Sequence, residues 1–236
     1  MTSVLPRLTK LRGMALDLLF PRWCVGCGVE GSFLCQSCQL SLSRIEPPFC
    51  PRCGKPQVGG QLCPSCAEWP AVIDGIRSPF RFEGVVREAV HQLKYRNLRA
   101  LVPVLSELLN DYMKAHPVPG EVLVPVPLHR KRLRERGYNQ SRLLAQGLGR
   151  LSGLPVVADC LIRQNNNPPQ ASTSTVEERR GNVAGVFVCR DDRFQGKRVL
   201  LIDDVATSGA TLDACAEVLK ASGAASVWAL TFAREI

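Results

Sequence analysis

No stretch of the 236-residue sequence approaches the ~20 consecutive apolar residues a helix needs to cross a bilayer, which sets aside a transmembrane reading. A GxxxxGK[ST] loop is absent too, and with it the P-loop nucleotidases. Histidine is scarce. His91, His116 and His129 are three in number, and none stands where it would activate a nucleophilic cysteine, as glutamine amidotransfer requires. Gly147-Leu148-Gly149 lacks the rest of a dinucleotide-binding fingerprint. The first residues, MTSVLPRLTKLRGMALDLLF, make a poor export signal, because Asp17 interrupts a short apolar stretch and no small-residue cleavage site follows. The expected location is therefore cytoplasmic. What is present, 45% hydrophobic and 22% charged residues, excludes a wholly disordered or collagen-like chain.

Cysteine is abundant, with eleven residues, eight of them within 24–66. In a secreted chain such density means disulfides; without an export signal it points to thiolates holding metal. The eight form an internal repeat. Cys24-Val25-Gly26-Cys27-Gly28 leads to Leu34-Cys35-Gln36-Ser37-Cys38, and Cys50-Pro51-Arg52-Cys53-Gly54 leads to Leu62-Cys63-Pro64-Ser65-Cys66. Little between the pairs forms a core, so metal must organise the segment. Four CxxC pairs supply two tetrahedral four-cysteine sites, the usual closed arrangement of structural zinc, with no open position for catalysis. The repeat unit assigns Cys24, Cys27, Cys35 and Cys38 to one ion and Cys50, Cys53, Cys63 and Cys66 to the other; an interleaved, cross-braced pairing is the alternative. The glycines after Cys27 and Cys53 are expected to let each knuckle turn and aim backbone N–H groups at sulfur. Cys160, Cys189 and Cys215 read as buried small hydrophobes. Trp23 and Phe49 read as packing the miniature cores, with Arg22, Arg44 and Arg52 available beside them for stacking and phosphate contacts to a single strand.

Charge is uneven. The net +9 divides into +2 over residues 1–75, +8 over 76–150 and −1 over 151–236. Arg130, Lys131, Arg132, Arg134 and Arg136 crowd the middle segment, which predicts an anionic partner, phosphate ester or nucleic acid. The chain divides into an amphipathic helix within 1–22, a cysteine-rich segment over 23–68 and an α/β domain over 69–236, with residues 67–74 reading as a linker. Apolar spacing predicts helices over 8–20, 84–96, 98–115, 139–152, 176–182 and 210–222. Extended segments are expected over 75–83, 121–126, 155–162, 184–189, 198–203 and 226–232, with a polar, irregular run over 163–175. Strands alternating with helices mean a mostly parallel sheet covered on both faces.

The strongest chemical signal is Val199-Leu200-Leu201-Ile202-Asp203-Asp204-Val205-Ala206-Thr207-Ser208-Gly209-Ala210-Thr211. An apolar strand ends in two carboxylates, where open α/β sheets bind ligands. A loop of small residues and hydroxyls follows, then a helix from Ala210, whose first N–H groups suit a phosphate. Ionised carboxylates accept only, which suits paired ribose hydroxyls. Strand, acid pair, loop and helix together describe a site for a sugar 5-phosphate; the bland alternative is a polar strand end beside ordinary capping residues.

Residues 199–212 resemble the phosphoribosyl pyrophosphate motif of type I phosphoribosyltransferases. Over nearly its full length the chain is similar to the ComF family, competence-protein-F-like proteins that join a double zinc ribbon to a phosphoribosyltransferase-type α/β domain. The tandem CxxC pairs carry the resemblance, with Leu93-Lys94-Tyr95, Val124-Pro125-Val126-Pro127-Leu128, Arg132 through Arg136-Gly137-Tyr138-Asn139-Gln140, and Pro169-Gln170 followed by Arg179, Asn182, Gly185 and Phe187. One departure is visible: residues 165–167 are Asn-Asn-Asn where the family usually carries a Thr.

The resemblance implies roles. Asp203 and Asp204 would face the ribose hydroxyls, and Ala206, Thr207, Ser208, Gly209, Ala210 and Thr211 would hold the 5-phosphate. Val126 and Pro127 would approach the pyrophosphate, and Lys94, Arg132, Arg134 or Arg136 would neutralise it as it leaves. Mg²⁺ would arrive on the phosphoribosyl pyrophosphate itself, keeping water in its shell. A link with natural competence and DNA uptake is implied as well. The chain is then a phosphoribosyltransferase of unknown acceptor. The alternative is a non-catalytic accessory factor that senses the sugar phosphate while binding single-stranded DNA or docking a DNA-uptake helicase.

Overall fold

A computed structural model describes residues 21–164, 186–189 and 192–236. The expected helices over 8–20 and 176–182, most of the polar run 163–175, and Pro169, Gln170, Arg179, Asn182 and Gly185 lie outside the described residues.

The framework is a parallel sheet. Its strands are β1 (Gly75–Arg77), β2 (Phe80–Arg81), β3 (Val122–Pro125), β6 (Arg198–Ala206) and β7 (Ser226–Arg234), in the order β1-β7-β6-β3, with β2 continuing the β1 side along β7. A separate antiparallel pair joins β4 (Leu161–Arg163) to β5 (Phe187–Cys189). Val199, Leu200, Leu201 and Ile202 of β6 are all 0% exposed. Strand alternation sends Val199 and Leu201 into one core and Leu200 and Ile202 into the other. An unbroken apolar run is what a strand buried on both faces requires.

β6 runs three residues beyond the expected end at Asp203. β7 continues through Arg234 and supplies partners, Ala233 for Val205 and Arg234 for Ala206. The extended segment expected over 155–162 divides. Leu123 of β3 takes its N–H to Pro155 O at 2.8 Å and receives the Val157 N–H at 2.9 Å, so residues 155–157 line that sheet edge. Residues 161–163 turn away into β4.

Among the described residues the principal helices are α3 (Gly84–Tyr95), α4 (Val102–Ala115), α5 (Arg130–Arg136), α6 (Gln140–Ser152) and α7 (Ala210–Ala221), with α1 (Gln36–Leu40) and α2 (Pro64–Ala67) in the cysteine-rich segment. The long helix expected from residue 98 begins only at Val102, after a 3-10 turn, because Pro103 suits a first helical turn and nothing earlier. α5 had no hydrophobic period to announce it: it buries no residue, starts on a His129 Nδ1 cap to the Lys131 N–H at 3.1 Å, and stops at left-handed Gly137. Gly147 and Gly149 serve helix packing. A Cβ on Gly147 would lie 2.1 Å from Ser106 Oγ on α4, so α4 and α6 cross at contact distance only without one.

The cysteine-rich segment lies along the other sheet edge. Ile45 N–H donates to Pro79 O and Arg81 N–H to Ser43 O, each at 2.8 Å, while Ile76 N–H donates to Arg52 O at 2.7 Å. The connector between the two cysteine repeats, with Arg52 of the second repeat, thus covers strands that would otherwise stand open to pairing. Trp23 does not pack a miniature core as expected: it pairs with Glu30 in a single antiparallel bridge and stays 53% exposed. Phe49 is half-buried under the Arg77 guanidinium, 5.0 Å from its ring centre. Cys160 and Cys215 are buried as expected, and burial pushes both thiols up, Cys160 to about 12; Cys189 is only partly covered.

Candidate phosphate site and metal centres

β6 delivers Asp203 and Asp204 to its carboxyl end, and each acid finds its own partner. Ser141 Oγ, in the first turn of α6, donates to Asp203 Oδ1 at 2.7 Å, and the Asp204 N–H donates to the same oxygen at 2.9 Å. Lys94 Nζ, from the last turn of α3, pairs with Asp204 Oδ1 at 2.7 Å. Burial, then the neighbouring charge of Asp204, pushes the Asp203 carboxyl up to about 7, against the opposing pull of Ser141 and Lys94.

The loop that follows exposes Thr207, half-covers Ser208 and Thr211, and buries Gly209 and Ala210. Gly209 caps α7 with φ +84°, a left-handed conformation open to glycine, and offers no capping side chain to the helix N–H groups. Ser208 Oγ reaches the Ala210 N–H at 3.4 Å.

The Arg136-Gly137-Tyr138-Asn139 run organises the facing wall. Gly137 ends α5, and the Tyr138 hydroxyl donates to Leu93 O, beside Lys94. Asn139 caps α6 through Oδ1 and donates through Nδ2 to Val126 O at 2.9 Å, tying the Val126–Pro127 loop to the helix that carries Ser141. A cavity of about 600 Å³ opens here, lined by Lys94, Tyr95, Arg132, Arg136 and Tyr138. Lys94, Arg132 and Arg136 therefore meet at one cavity, and the Lys94–Asp204 pair joins it to the acid pair. Pro127 lines a neighbouring cavity of about 350 Å³ with Pro125, Asn139 and Arg142. Arg134 lies exposed on α5 and lines neither.

Three relevant residues have no signature in the sequence. Ser141 reads as an ordinary early helix residue. Arg163, whose Nε has no hydrogen-bond partner among the described residues, sits where burial lowers its pKa, Arg132 adds to that, and Asp203 opposes it. Arg234, 2% exposed, closes the last strand. Nothing in local sequence marks an arginine whose partner lies tens or hundreds of residues away.

The eight ribbon cysteines gather in the sequential pairing. Within Cys24, Cys27, Cys35 and Cys38, and within Cys50, Cys53, Cys63 and Cys66, all sulfurs lie within 4.8 Å of one another. Cys27 and Cys35 sulfurs stand 3.6 Å apart, and Cys53 and Cys63 sulfurs 3.7 Å. A tetrahedron with Zn–S bonds of about 2.3 Å has sulfur edges of about 3.8 Å, so both donor sets fit zinc in chemistry and in size. Burial raises the Cys24 and Cys50 thiols, but converging backbone N–H groups outweigh it and bring each down to about 6. Gly28 and Gly54 make the expected left-handed turns, at φ +71° and +73°. Their own N–H groups, however, go to the Cys24 and Cys50 carbonyls at 2.8 and 2.9 Å. The donors to sulfur include the Cys35 N–H on Cys24 at 3.3 Å and the Cys63 N–H on Cys50 at 3.5 Å.

Comparison with known proteins agrees with both halves of this geometry. The double zinc ribbon domain family matches residues 15–67, and the phosphoribosyl transferase domain family matches residues 142–235. Competence protein ComFC of Bacillus subtilis (strain 168) is 34% identical over 209 residues, covering 85% of this chain and 84% of its own. The chain belongs to the ComF family. Other relatives are competence protein F of Haemophilus influenzae, 29% identical over 84% of this chain and 89% of its own, and the DNA utilization protein YhgH of Escherichia coli (strain K12), with the same identity and the same two coverages. This ComF chain thus joins a double zinc ribbon with two four-cysteine sites to a phosphoribosyltransferase-type α/β domain. Among the described residues no helix is long and apolar enough to cross a membrane.

Proposed function

We propose that this ComF chain binds phosphoribosyl pyrophosphate with Mg²⁺ and serves DNA uptake or utilisation in the cytoplasm, with its ribbon over 23–68 and its phosphoribosyltransferase domain over 69–236. One observation carries the reading: the acid pair, half-buried Asp203 and buried Asp204, runs directly into the hydroxyl-rich 206–211 loop at the start of α7. Asp203 and Asp204 accept from the ribose hydroxyls, while Thr207, Ser208, Thr211 and the backbone of Ala206, Gly209 and Ala210 hold the 5-phosphate. Lys94, Arg132 and Arg136, gathered at one cavity, meet the pyrophosphate together with the Val126–Pro127 loop. Mg²⁺ would arrive on the pyrophosphate, whose hard oxygens suit it, and would screen the negative charge there. In a transfer reaction the C1–O bond breaks, pyrophosphate leaves with the electron pair, and the acceptor bonds to C1 and loses a proton. Positioning and charge neutralisation then supply the catalysis.

Calorimetric titration of phosphoribosyl pyrophosphate with Mg²⁺ tests the site. Thr211→Val is expected to weaken binding at least about tenfold, the loss of one hydrogen bond to a charged group. Equal affinity in the variant and the wild type would overturn the assignment.

The exposed cations of α5, Arg130, Lys131, Arg132 and Arg134, favour a second reading, in which the chain also holds single-stranded DNA as an accessory factor. Oligonucleotide titration at two salt concentrations tests it, and no binding even at low salt would end it.

A further inference from the structure

The two zinc ribbons relate to the phosphate loop differently. Cys50, Cys53, Cys63 and Cys66 lie in one buried core with Trp69, Ile76, Ala206 and Ala210. Cys24 and Cys38 belong to the opposite core, against α3, where a Cβ on Gly26 would come within 2.9 Å of Val85. The loop rests directly on the junction that follows the second ribbon: a Cβ on Gly209 would stand 2.9 Å from the Trp69 ring and 3.0 Å from Ile76 Cδ1. Trp69 is fixed in turn, because Arg52 Nη1 donates to the carbonyls of Cys66 and Trp69 at 2.8 and 2.7 Å. From the loop side, Asp213 Oδ1 accepts the Val72 and Ile73 N–H groups, both at 2.8 Å.

Arg234 spans what remains. It is 2% exposed, its Nη2 donates to Thr207 O at 3.5 Å, and its Nε and Nη1 have no hydrogen-bond partner among the described residues. The opposing charge that acts on it most comes from the second cluster, Cys53 first, then Cys66, Cys63 and Cys50. A buried guanidinium is costly unless an opposite charge lies near. Four thiolates around one Zn²⁺ leave two negative charges, which is the counter-charge this guanidinium needs.

We propose that zinc in the second cysteine cluster sets the shape of the phosphate loop, through Arg234, whose Nη2 meets the Thr207 carbonyl, and Trp69, seated under Gly209, while zinc in the first cluster does not. Arg234 is a positioning residue in this scheme and touches no ligand. The consequence for binding rests on the phosphate-site reading above; the coupling to the loop does not.

Hydrogen–deuterium exchange on the full-length chain, with zinc counted per chain, separates the two. Arg234→Met and Cys66→Ser are expected to raise amide exchange over residues 206–211 at least tenfold while Leu200–Ile202 in β6 stay protected. Cys27→Ser, which removes a first-cluster ligand, is expected to lose one zinc and leave 206–211 exchange within twofold of wild type. Trp69→Phe, a milder change, is expected to move the loop in the same direction and decides the matter if either stronger variant does not fold. Loop exchange unchanged in Arg234→Met, or raised as much in Cys27→Ser, would overturn the coupling. With Mg²⁺ and phosphoribosyl pyrophosphate as the probe, Arg234→Met should also bind at least tenfold more weakly. A wild type that binds none of it sinks the functional reading alone and leaves the exchange result decisive for the coupling.

Discussion

Asp203 exchanges its proton close to neutral pH, and that has a thermodynamic consequence. Burial and the adjacent Asp204 charge raise its carboxyl to about 7, while an unfolded aspartate titrates near about 3.9. Between those values the folded chain binds the extra proton. Stability therefore falls as pH climbs through this window and levels off above it. Asp203→Asn removes the buried charge and keeps an acceptor for Ser141. At pH 8 the variant is expected to be more stable than wild type by about 1–3 kcal/mol, at about 1.4 kcal/mol for each tenfold change in proton affinity less a discount for the carboxylate's partial exposure. The gain should vanish near pH 4, and sugar-phosphate binding should be lost throughout. Chemical denaturation at both pH values checks this; a variant less stable than wild type at pH 8 would show the ionised carboxylate to be fully compensated. Sequence alone exposed the acid pair, because two aspartates after four apolar residues are conspicuous. It did not expose Ser141, which meets Asp203 across 62 residues, since a serine near a helix start looks the same whether or not it serves a site.

Elements were legible where hydrophobic periodicity wrote them. β6, α7 and β7 appear in the sequence as apolar runs and periodic faces, and the structure extends β6 only because β7 offers further partners. α5 was not legible, since a helix with no buried residue leaves no apolar stripe. Its charge was plain, but the form that charge takes, a short exposed helix beside the cavity, was not. That form makes a measurable prediction. Four exposed cations contacting a single strand would give a slope of log K against log salt of about −3, at about −0.7 per phosphate neutralised. Replacing Arg130, Lys131 and Arg134 with Gln, and leaving the cavity residues Arg132 and Arg136 alone, is expected to flatten that slope by about 2. An oligonucleotide titration over a roughly fourfold range of salt reads it, and an unchanged slope would place the strand elsewhere.

The tandem cysteine repeat announces two metal sites, and the α/β pattern announces a sheet, but neither says that the two parts share a core. The contacts that join them are long-range and carry no local signature. Residues 43–45 line β2, Arg52 meets Ile76 of β1 and reaches Trp69, and the second cluster shares one core with Ile76, Val124 and Val199. The linker reading of residues 67–74 separates what the fold unites: Trp69 and Ile73 are buried at 5% and 2% exposure, and Asp74 accepts from Lys220 Nζ at 2.9 Å and the Val227 N–H at 2.6 Å. A chain beginning at residue 69 would therefore uncover Trp69, Ile76 and Phe80 and remove the second cysteine cluster from its shared packing with Trp69 and Ile76. At about 1.5–3 kcal/mol for each large apolar side chain left in water, three such exposures cost about 5–9 kcal/mol. That is comparable with the whole stability of a typical domain, about 5–15 kcal/mol. The truncated chain is expected to lack a cooperative thermal transition and near-ultraviolet circular dichroism, whereas the full chain has both. A truncated domain melting cooperatively within a few degrees of the full chain would mean that the α/β core closes without the ribbons, and that the shared cluster is a contact surface and not a common core.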